Sequence, residues 1–302
     1  LMKRLQHQAY NGMLPDLLLI HPRRITLLRR HRLLRTVRLT PSQRQLYRPG
    51  VLALVNDAGG GENAPVQAIP YLLQPTLSCY NRSRLPRPPA DLTAYLRAGE
   101  SGARLAMNGS LYDLTPLRRS FGDDTEAFLA WIQKANKERT ISFAESPLAL
   151  AQGLTSRRFD WIPCSSSWIP VLRRSLGERL GVAPLPRGGP LGAIRPVLRL
   201  RTWVFLNQSS QTQRRLADDF ALFSTNPLQQ RNLVLTLQNG LPVSADLPLP
   251  LGGYPDLAVM QAALQTSEWV GTSELDRRFQ RSQRLQPLIN RVITGSISPA
   301  AA

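Results

Sequence analysis

Cysteine, histidine and lysine are scarce in this chain of 302 residues, and each scarcity excludes a class of function. The two cysteines, Cys79 and Cys164, lie too far apart for a Cys-x-x-Cys site. Sequence alone does not fix whether they are joined. The three histidines, His7, His21 and His31, show no metal-ligand spacing, so neither a metal site nor a cofactor is expected. Long apolar runs are also missing. Leu17–Ile20 and Val51–Val55 fall far short of the ~20 residues that cross a bilayer. Residues 1–12 lack the basic-plus-apolar pattern of a signal segment and read as the end of an amphipathic helix. No G-x-S-x-G elbow, phosphate-binding G-x-x-x-x-G-K, H-E-x-x-H or Cys/His pair is present, so no enzyme is expected.

Acidic residues are few as well: 20 Asp and Glu stand against 38 Lys and Arg, a net charge of +18. Residues 1–50 hold eleven of the basic residues, including Arg23, Arg24, Arg29, Arg30, Arg32, Arg35 and Arg38, against the single acid Asp16. Such a cluster could neutralise phosphates. It lacks the interleaved aromatics of a stacking surface, and no zinc-finger or RNP-like motif accompanies it. Lys3, Lys134 and Lys137 are the only lysines, so arginine supplies almost all the charge, as a bias of the whole chain. A solvated basic face is the plainer reading, and nucleic acid is not an expected partner.

What the chain does have is an alternation of strand-like and helix-like segments. Residues 14–20, 52–55 and 66–80 read as strands around a loop at Gly59, Gly60 and Gly61, and 159–163 as a short one. Helices are expected at 24–35, 91–97, 114–120, 124–136 and 146–154. Asp91 follows Pro88 and Pro89 and can cap a helix whose Leu92, Tyr95 and Leu96 share a face. Asp123 and Asp124 place negative charge at another helix start. This alternation predicts an α/β fold with mainly parallel sheets, and the length favours two domains or lobes.

The run from Pro70 through Tyr80, Asn81, Pro88 and Pro89 to the helix at Asp91 resembles the strand that crosses between the lobes of extracellular solute-binding proteins of ABC importers. The likeness is to the maltose-binding-protein-like group (family 1). Further loose motifs follow in the family's order. They are Gly12-Met-Leu-Pro-Asp-Leu-Leu, Arg158-Phe-Asp-Trp-Ile-Pro-Cys-Ser-Ser-Ser-Trp168, Val182-Ala-Pro-Leu-Pro-Arg-Gly-Gly, Phe220-Ala-Leu-Phe-Ser-Thr-Asn-Pro-Leu-Gln-Gln and Asn239-Gly-Leu-Pro-Val.

The resemblance implies a two-lobed periplasmic-binding-protein type II fold with a ligand cleft between lobes. Lobe 1 would comprise 1–77 and 195–240, with its first strand missing. Lobe 2 would comprise 78–194 and 241–302, with its final helix missing, so the chain is expected to be truncated at both ends. Hinges are expected near residues 77–80 and 195–198. The implied function is capture of a sugar, oligosaccharide or polyol by lobe closure and its delivery to the permease subunits of an ABC transporter. The protein would be a periplasmic or extracellular monomer, with or without a lipid anchor. A second reading is a degenerate, non-transport member whose basic first lobe binds a polyanion or acidic partner.

Carried over position by position, the family's cleft residues fall on Gln74, Tyr112, Trp168, Trp203 and Tyr254. Gln74 stands where the maltose-binding protein has a ligand-contacting carboxylate. Tyr112 and Tyr254 read equally as surface or core residues. Trp168, between three serines and Pro170, is placed at a helix start. In the strand at 198–205, either Trp203 or the Arg199/Arg201 face can meet the cleft, and those arginines would suit an anionic ligand. Trp131, Trp161 and Trp269 are expected in the core.

Overall fold

The structure, a computed structural model, describes residues 2–56, 64–190, 192, 194–245 and 247–301. The glycine loop expected at Gly59, Gly60 and Gly61 lies outside the described residues. The chain opens with α1 (Met2–Tyr10), β1 (Leu17–Ile20), α2 (Arg23–Arg30), α3 (Pro41–Gln45), α4 (Val51–Val55) and β2 (Ala68–Gln74). Then come β3 (Thr76–Asn81), α5 (Leu92–Glu100), β4 (Leu105–Asn108), α6 (Leu111–Arg119), α7 (Thr125–Lys137) and β5 (Ile141–Ala144). Next are α8 (Pro147–Thr155), β6 (Trp161–Ser165), α9 (Ile169–Leu176) and β7 (Leu180–Ala183). The chain closes with β8 (Arg199–Phe205), α10 (Gln211–Ser224), α11 (Pro227–Leu237), β9 (Leu241–Pro242), α12 (Pro255–Thr266) and α13 (Thr272–Ile293).

The strands form two sheets, a four-stranded one in the order β1-β8-β2-β9 and a five-stranded one in the order β5-β4-β6-β3-β7. Neither sheet is mainly parallel: the four-stranded one is antiparallel at every pairing and the five-stranded one is mixed. Among the described residues five strand pairings are antiparallel and two parallel. Alternation with helices predicts parallel neighbours only when a strand returns to its own sheet. Here β8 arrives from the other sheet and runs against both β1 and β2, and β3 runs against β6 and β7.

The caps legible in the sequence form as expected. Asp91 accepts a hydrogen bond from the Ala94 amide at 2.8 Å, and Asp124 accepts one from Ala127 at 2.8 Å. Two further caps, not singled out from the sequence, are Ser146, whose hydroxyl accepts from the Ala149 amide at the start of α8, and Asn226, which accepts from the Leu228 amide just ahead of α11. Leu92, Tyr95 and Leu96 are all buried along α5.

Other expectations fail for identifiable reasons. The segment at 52–55 is helical. Gly50 takes a left-handed φ of +78°, which turns the chain into α4, and Val51, Leu54 and Val55 then bury at helical spacing. The strand expected at 66–80 breaks into β2 and β3 at Pro75, which has no amide hydrogen to give a ladder. The helix expected at 24–35 stops at Arg30, because Arg32 has a positive φ of 52° and Leu34 pairs with Leu206. Trp161 is 1% exposed and Trp131 is half-buried beside Tyr95, but Trp269 is 38% exposed. Trp269 lies in the short segment between α12 and α13, where the backbone of Glu268 is paired with 196–198 and not within a helix.

One buried cluster runs from Ile25, Leu28 and Val51 through Leu73 to Leu77, Ile162 and Leu257, so it is continuous across both sheets. A second cluster is built on Tyr95, Phe128 and Trp161 and receives Ile289 and Val292 from α13. Burying such a side chain contributes ~1.5–3 kcal/mol. The other end of α13 reaches α2 through an Arg30–Asp276 ion pair at 3.1 Å, so this helix braces the two sheets against each other. The two cysteines are disulfide-bonded within the second sheet. In the β3–β6 register Cys79 faces Ile162 and Cys164 faces Leu77, which puts the sulfurs on one face as diagonal neighbours.

Candidate ligand-binding cleft

Three stretches carry the chain between the sheets. The first is Gln74-Pro75-Thr76, where β2 ends and β3 begins. Residues 77–80, where a hinge was expected, sit inside β3 and are paired to both β6 and β7. The second crossing runs from β7 to β8. At its end the Leu198 amide donates to the Glu268 carbonyl at 2.9 Å and the Glu268 amide to the Pro196 carbonyl at 2.8 Å. The third follows Ser244 and leads to α12, which packs on the second sheet. Just before β9, the Asn239 carbonyl accepts from Ser166 Oγ at 3.0 Å and from Gln74 Nε2 at 3.4 Å, which ties this turn to the first crossing and the serine-rich loop. Residues 241–244 still belong to the first sheet, through β9 and a Tyr47–Ser244 bridge, so the chain stays there slightly beyond residue 240.

Between the sheets lies a cavity of about 540 Å³. Gln74, Tyr112 and Trp168 line it; Trp203 and Tyr254 do not. Trp203 shares a strand face with Arg199 and Arg201, the three being two residues apart, yet its indole is covered by α10. Its Nε1 donates to Ser224 Oγ at 2.9 Å, and its ring packs against Tyr71 at 5.3 Å and Phe220 at 5.5 Å. Tyr254 packs on the first hydrophobic cluster at the start of α12. Family position alone therefore misplaces these two residues.

Gln74 is nearly buried, and its amide is turned to the Asn239 carbonyl. Trp168 ends a short 3-10 turn, Ser166–Trp168, that leads into α9. The turn is anchored by the Ser166 amide, which donates to the Pro75 carbonyl at 3.0 Å. Tyr112 stands in the first turn of α6, its ring packed edge-to-face against Phe279 of α13 with the ring centres 5.7 Å apart. Burial pushes its phenol above the usual value, so the hydroxyl keeps its proton at neutral pH.

The wall from the first sheet is basic. Arg199 and Arg201 project from β8, and Arg23 and Arg24 from the first turn of α2. Reading the N-terminal arginines as a solvated face missed the latter two. No local signal could have placed them in a cleft, because the wall joins segments far apart in sequence. Arg199 donates to Asp113 Oδ1 at 2.6 Å, a contact that spans the cavity from β8 to α6. Asp113 Oδ2 accepts from Asn108 Nδ2 at 2.9 Å. The Arg23 guanidinium lies 3.6 Å from the centre of the Phe279 ring, a cation–π contact. His21 lies among these arginines. Burial and the charges of Arg199, Arg23, Arg201 and Arg24 lower its pKa to about 3, so the ring is neutral. Its Nδ1 accepts from the Arg23 amide at 3.2 Å, which leaves the ring proton on Nε2. Among the described residues no cluster of His, Cys, Asp and Glu could hold a metal, and no helix is long and apolar enough to cross a membrane.

No family model matches the chain, and no curated protein matches it in sequence. Solved structures do match in shape. The maltose-bound MalE3 protein of T. maritima aligns with a TM-score of 0.77 at 15% identity, over 99% of this chain and 84% of that one. The GacH receptor of Streptomyces glaucescens, solved unliganded and with acarbose, aligns with a TM-score of 0.77 at 14% identity, over 98% and 83%. UgpB of Mycobacterium tuberculosis, in complex with glycerophosphocholine, gives 0.72 at 15% identity, over 95% and 86%. The fold is thus that of the two-lobed solute-binding proteins, the α/β type II periplasmic-binding architecture. These neighbours are binding proteins and not enzymes.

Proposed function

We propose that this chain is the substrate-binding component of an ABC importer, closing two lobes on a small polar solute and presenting it to the membrane permease. The observation that carries the reading is the cavity between two sheets joined by narrow crossings, with the rings of Tyr112 and Trp168 on its wall. Aromatic faces and a few polar groups in a concave site suit the C–H faces and hydroxyls of sugar-like ligands. The lobes divide as 1–77 with 195–240 and 78–194 with 241–302, the first strand of residues after 240 remaining on the first sheet. Opening would bend the chain at Gln74-Pro75-Thr76, near 195–198 and after Ser244. A site outside the cytosol, periplasmic or extracellular, agrees with the Cys79–Cys164 disulfide, since such bonds persist in oxidising compartments.

The polyanion reading finds less support. Arg29 donates to Gln67, and Arg30 and Arg35 pair with Asp276 and Asp218, so these arginines of the basic segment are engaged inside the molecule.

A thermal-shift screen with sugars, polyols and sugar phosphates, followed by small-angle scattering with any hit, tests the proposal. A hit that raises the melting point and reduces the radius of gyration is the expected result. Hits that leave the dimensions unchanged would count against lobe closure. For Trp168→Ala, binding of a hit is expected to weaken by ~1–3 kcal/mol, the range for one large apolar side chain. Because the indole is half-buried, the unliganded melting point should fall less than for truncation of fully buried Leu172 in α9, the helix that follows. Affinity unchanged in Trp168→Ala would remove the ring from the site.

A further inference from the structure

We propose that the solute carries an anionic oxygen group, a phosphate ester or a carboxylate, held against Arg24 and Arg201. The inference rests on the solute-binding reading above and concerns the chemistry of the same cavity.

Four guanidinium groups line the cavity, at Arg23, Arg24, Arg199 and Arg201, against two carboxylates, at Asp113 and Glu145. The groups are not equivalent. Arg199 is neutralised by Asp113 at 2.6 Å, and Arg23 rests on the Phe279 ring. Arg24 and Arg201 have no carboxylate partner among the described residues, and both are exposed on the cavity side. They come from different elements, α2 and β8, and only the fold brings them together.

His21 points the same way. With Nδ1 used by the Arg23 amide, its free group is the Nε2 hydrogen, a donor. Arginine offers donors only, so His21, Arg24 and Arg201 together present donors and positive charge without an acceptor. Burial first, and then the charges of Arg199, Arg23, Arg201 and Arg24, lower the His21 pKa, so these arginines also act on the ring. The positive end of the α2 dipole adds to their potential. A neutral sugar would leave this potential uncompensated, whereas an oxyanion accepts from each of these groups. Arginine forks pair bidentately with both carboxylate and phosphate.

Tyr112 and Trp168 supply aromatic surface to the same cavity, Tyr112 beside Arg23, whose guanidinium lies 5.7 Å from its ring centre, and they suit the uncharged body of the same molecule. A monosaccharide-sized ligand with one anionic substituent would use both the arginines and the rings.

The chain's three histidines make the test direct. In the full chain, imidazole resonances are followed by NMR, with His21 assigned through His21→Gln. Probes are inorganic phosphate, glucose 6-phosphate, galacturonate and maltose. Glucose 6-phosphate or galacturonate should shift the His21 signal saturably while the exposed His7 and His31 stay in place. Which of the two saturates at lower concentration separates phosphate ester from carboxylate, and inorganic phosphate should act as a weaker competitor. Arg24→Gln and Arg201→Gln should each weaken the anionic probe at least tenfold, the effect of losing one charge-assisted hydrogen bond, with the melting point unchanged. Should either variant be unstable, the other carries the test.

Maltose shifting His21 while every anion leaves it in place would overturn the anionic ligand and leave the solute-binding reading standing. No shift with any probe would also overturn it, and the closure measurement above then decides the broader reading alone.

Discussion

Cys79→Ala combined with Cys164→Ala is expected to lower the stability of the chain by about 4.5 kcal/mol, the loop-closure value for a bridge of this span. The bond closes a separation of 85 residues, from β3 to β6, and so restrains most of the second sheet and its helices in the unfolded chain. Both half-cystines are buried, at 0% and 4% exposure, so the variant also loses packed sulfur atoms. Urea unfolding of the oxidised protein and the double variant measures the difference, provided both transitions are two-state. A loss under ~1 kcal/mol would mean that the unfolded chain is already compact in this region and that the entropic account fails here.

The second large effect is expected at Asp160. Its carboxylate is buried and accepts from the Arg104 amide at 2.9 Å and Arg104 Nη2 at 3.1 Å, and it pairs with Arg84 Nε at 2.9 Å. Asp160→Leu leaves a buried amide without its acceptor and removes the anchor of two guanidinium groups. Breaking a buried ion pair costs ~3–5 kcal/mol. The two arginine side chains are 37% and 51% exposed and can turn to water, so the low end, about 3 kcal/mol, is expected. Asp160→Asn keeps an acceptor for the Arg104 amide and should lose only about half as much, ~1–2 kcal/mol, a hydrogen bond to a charged group being worth ~1.5–3 kcal/mol. Equal losses in the two variants would show that the charge, and not the acceptor, supplies the stability. Asp160 lies away from the cavity wall, so ligand affinity of the folded fraction should not change.

The sequence by itself determined the local starts and stops. Asp91, Asp124, Ser146 and Asn226 cap helices because a side-chain oxygen and the amide it accepts from lie within three residues of each other. The ordered motifs from Gly12 to Val243 resemble those of a two-lobed binding protein, and the shape agrees. Gln74 and Trp168 line the cavity and lie in segments that these motifs cover, whereas Tyr112, which also lines it, lies outside every motif and rests on family position alone.

Tertiary structure decided the rest. The run Val51–Val55 is apolar at every position, so period alone cannot separate a buried strand from a buried helix, and the left-handed turn at Gly50 selects the helix. Trp203 lies on the arginine face of β8, and what removes it from the cleft is Phe220 and Ser224 of α10, packed over that end of the strand. The basic wall is the clearest case. Arg23 and Arg24 belong to a segment whose charge reads as a solvated face, and Arg199 and Arg201 to a strand that follows only after the whole second sheet. Only the pairing of β1 with β8 sets the two pairs side by side, because a register between distant strands depends on the whole sheet being formed.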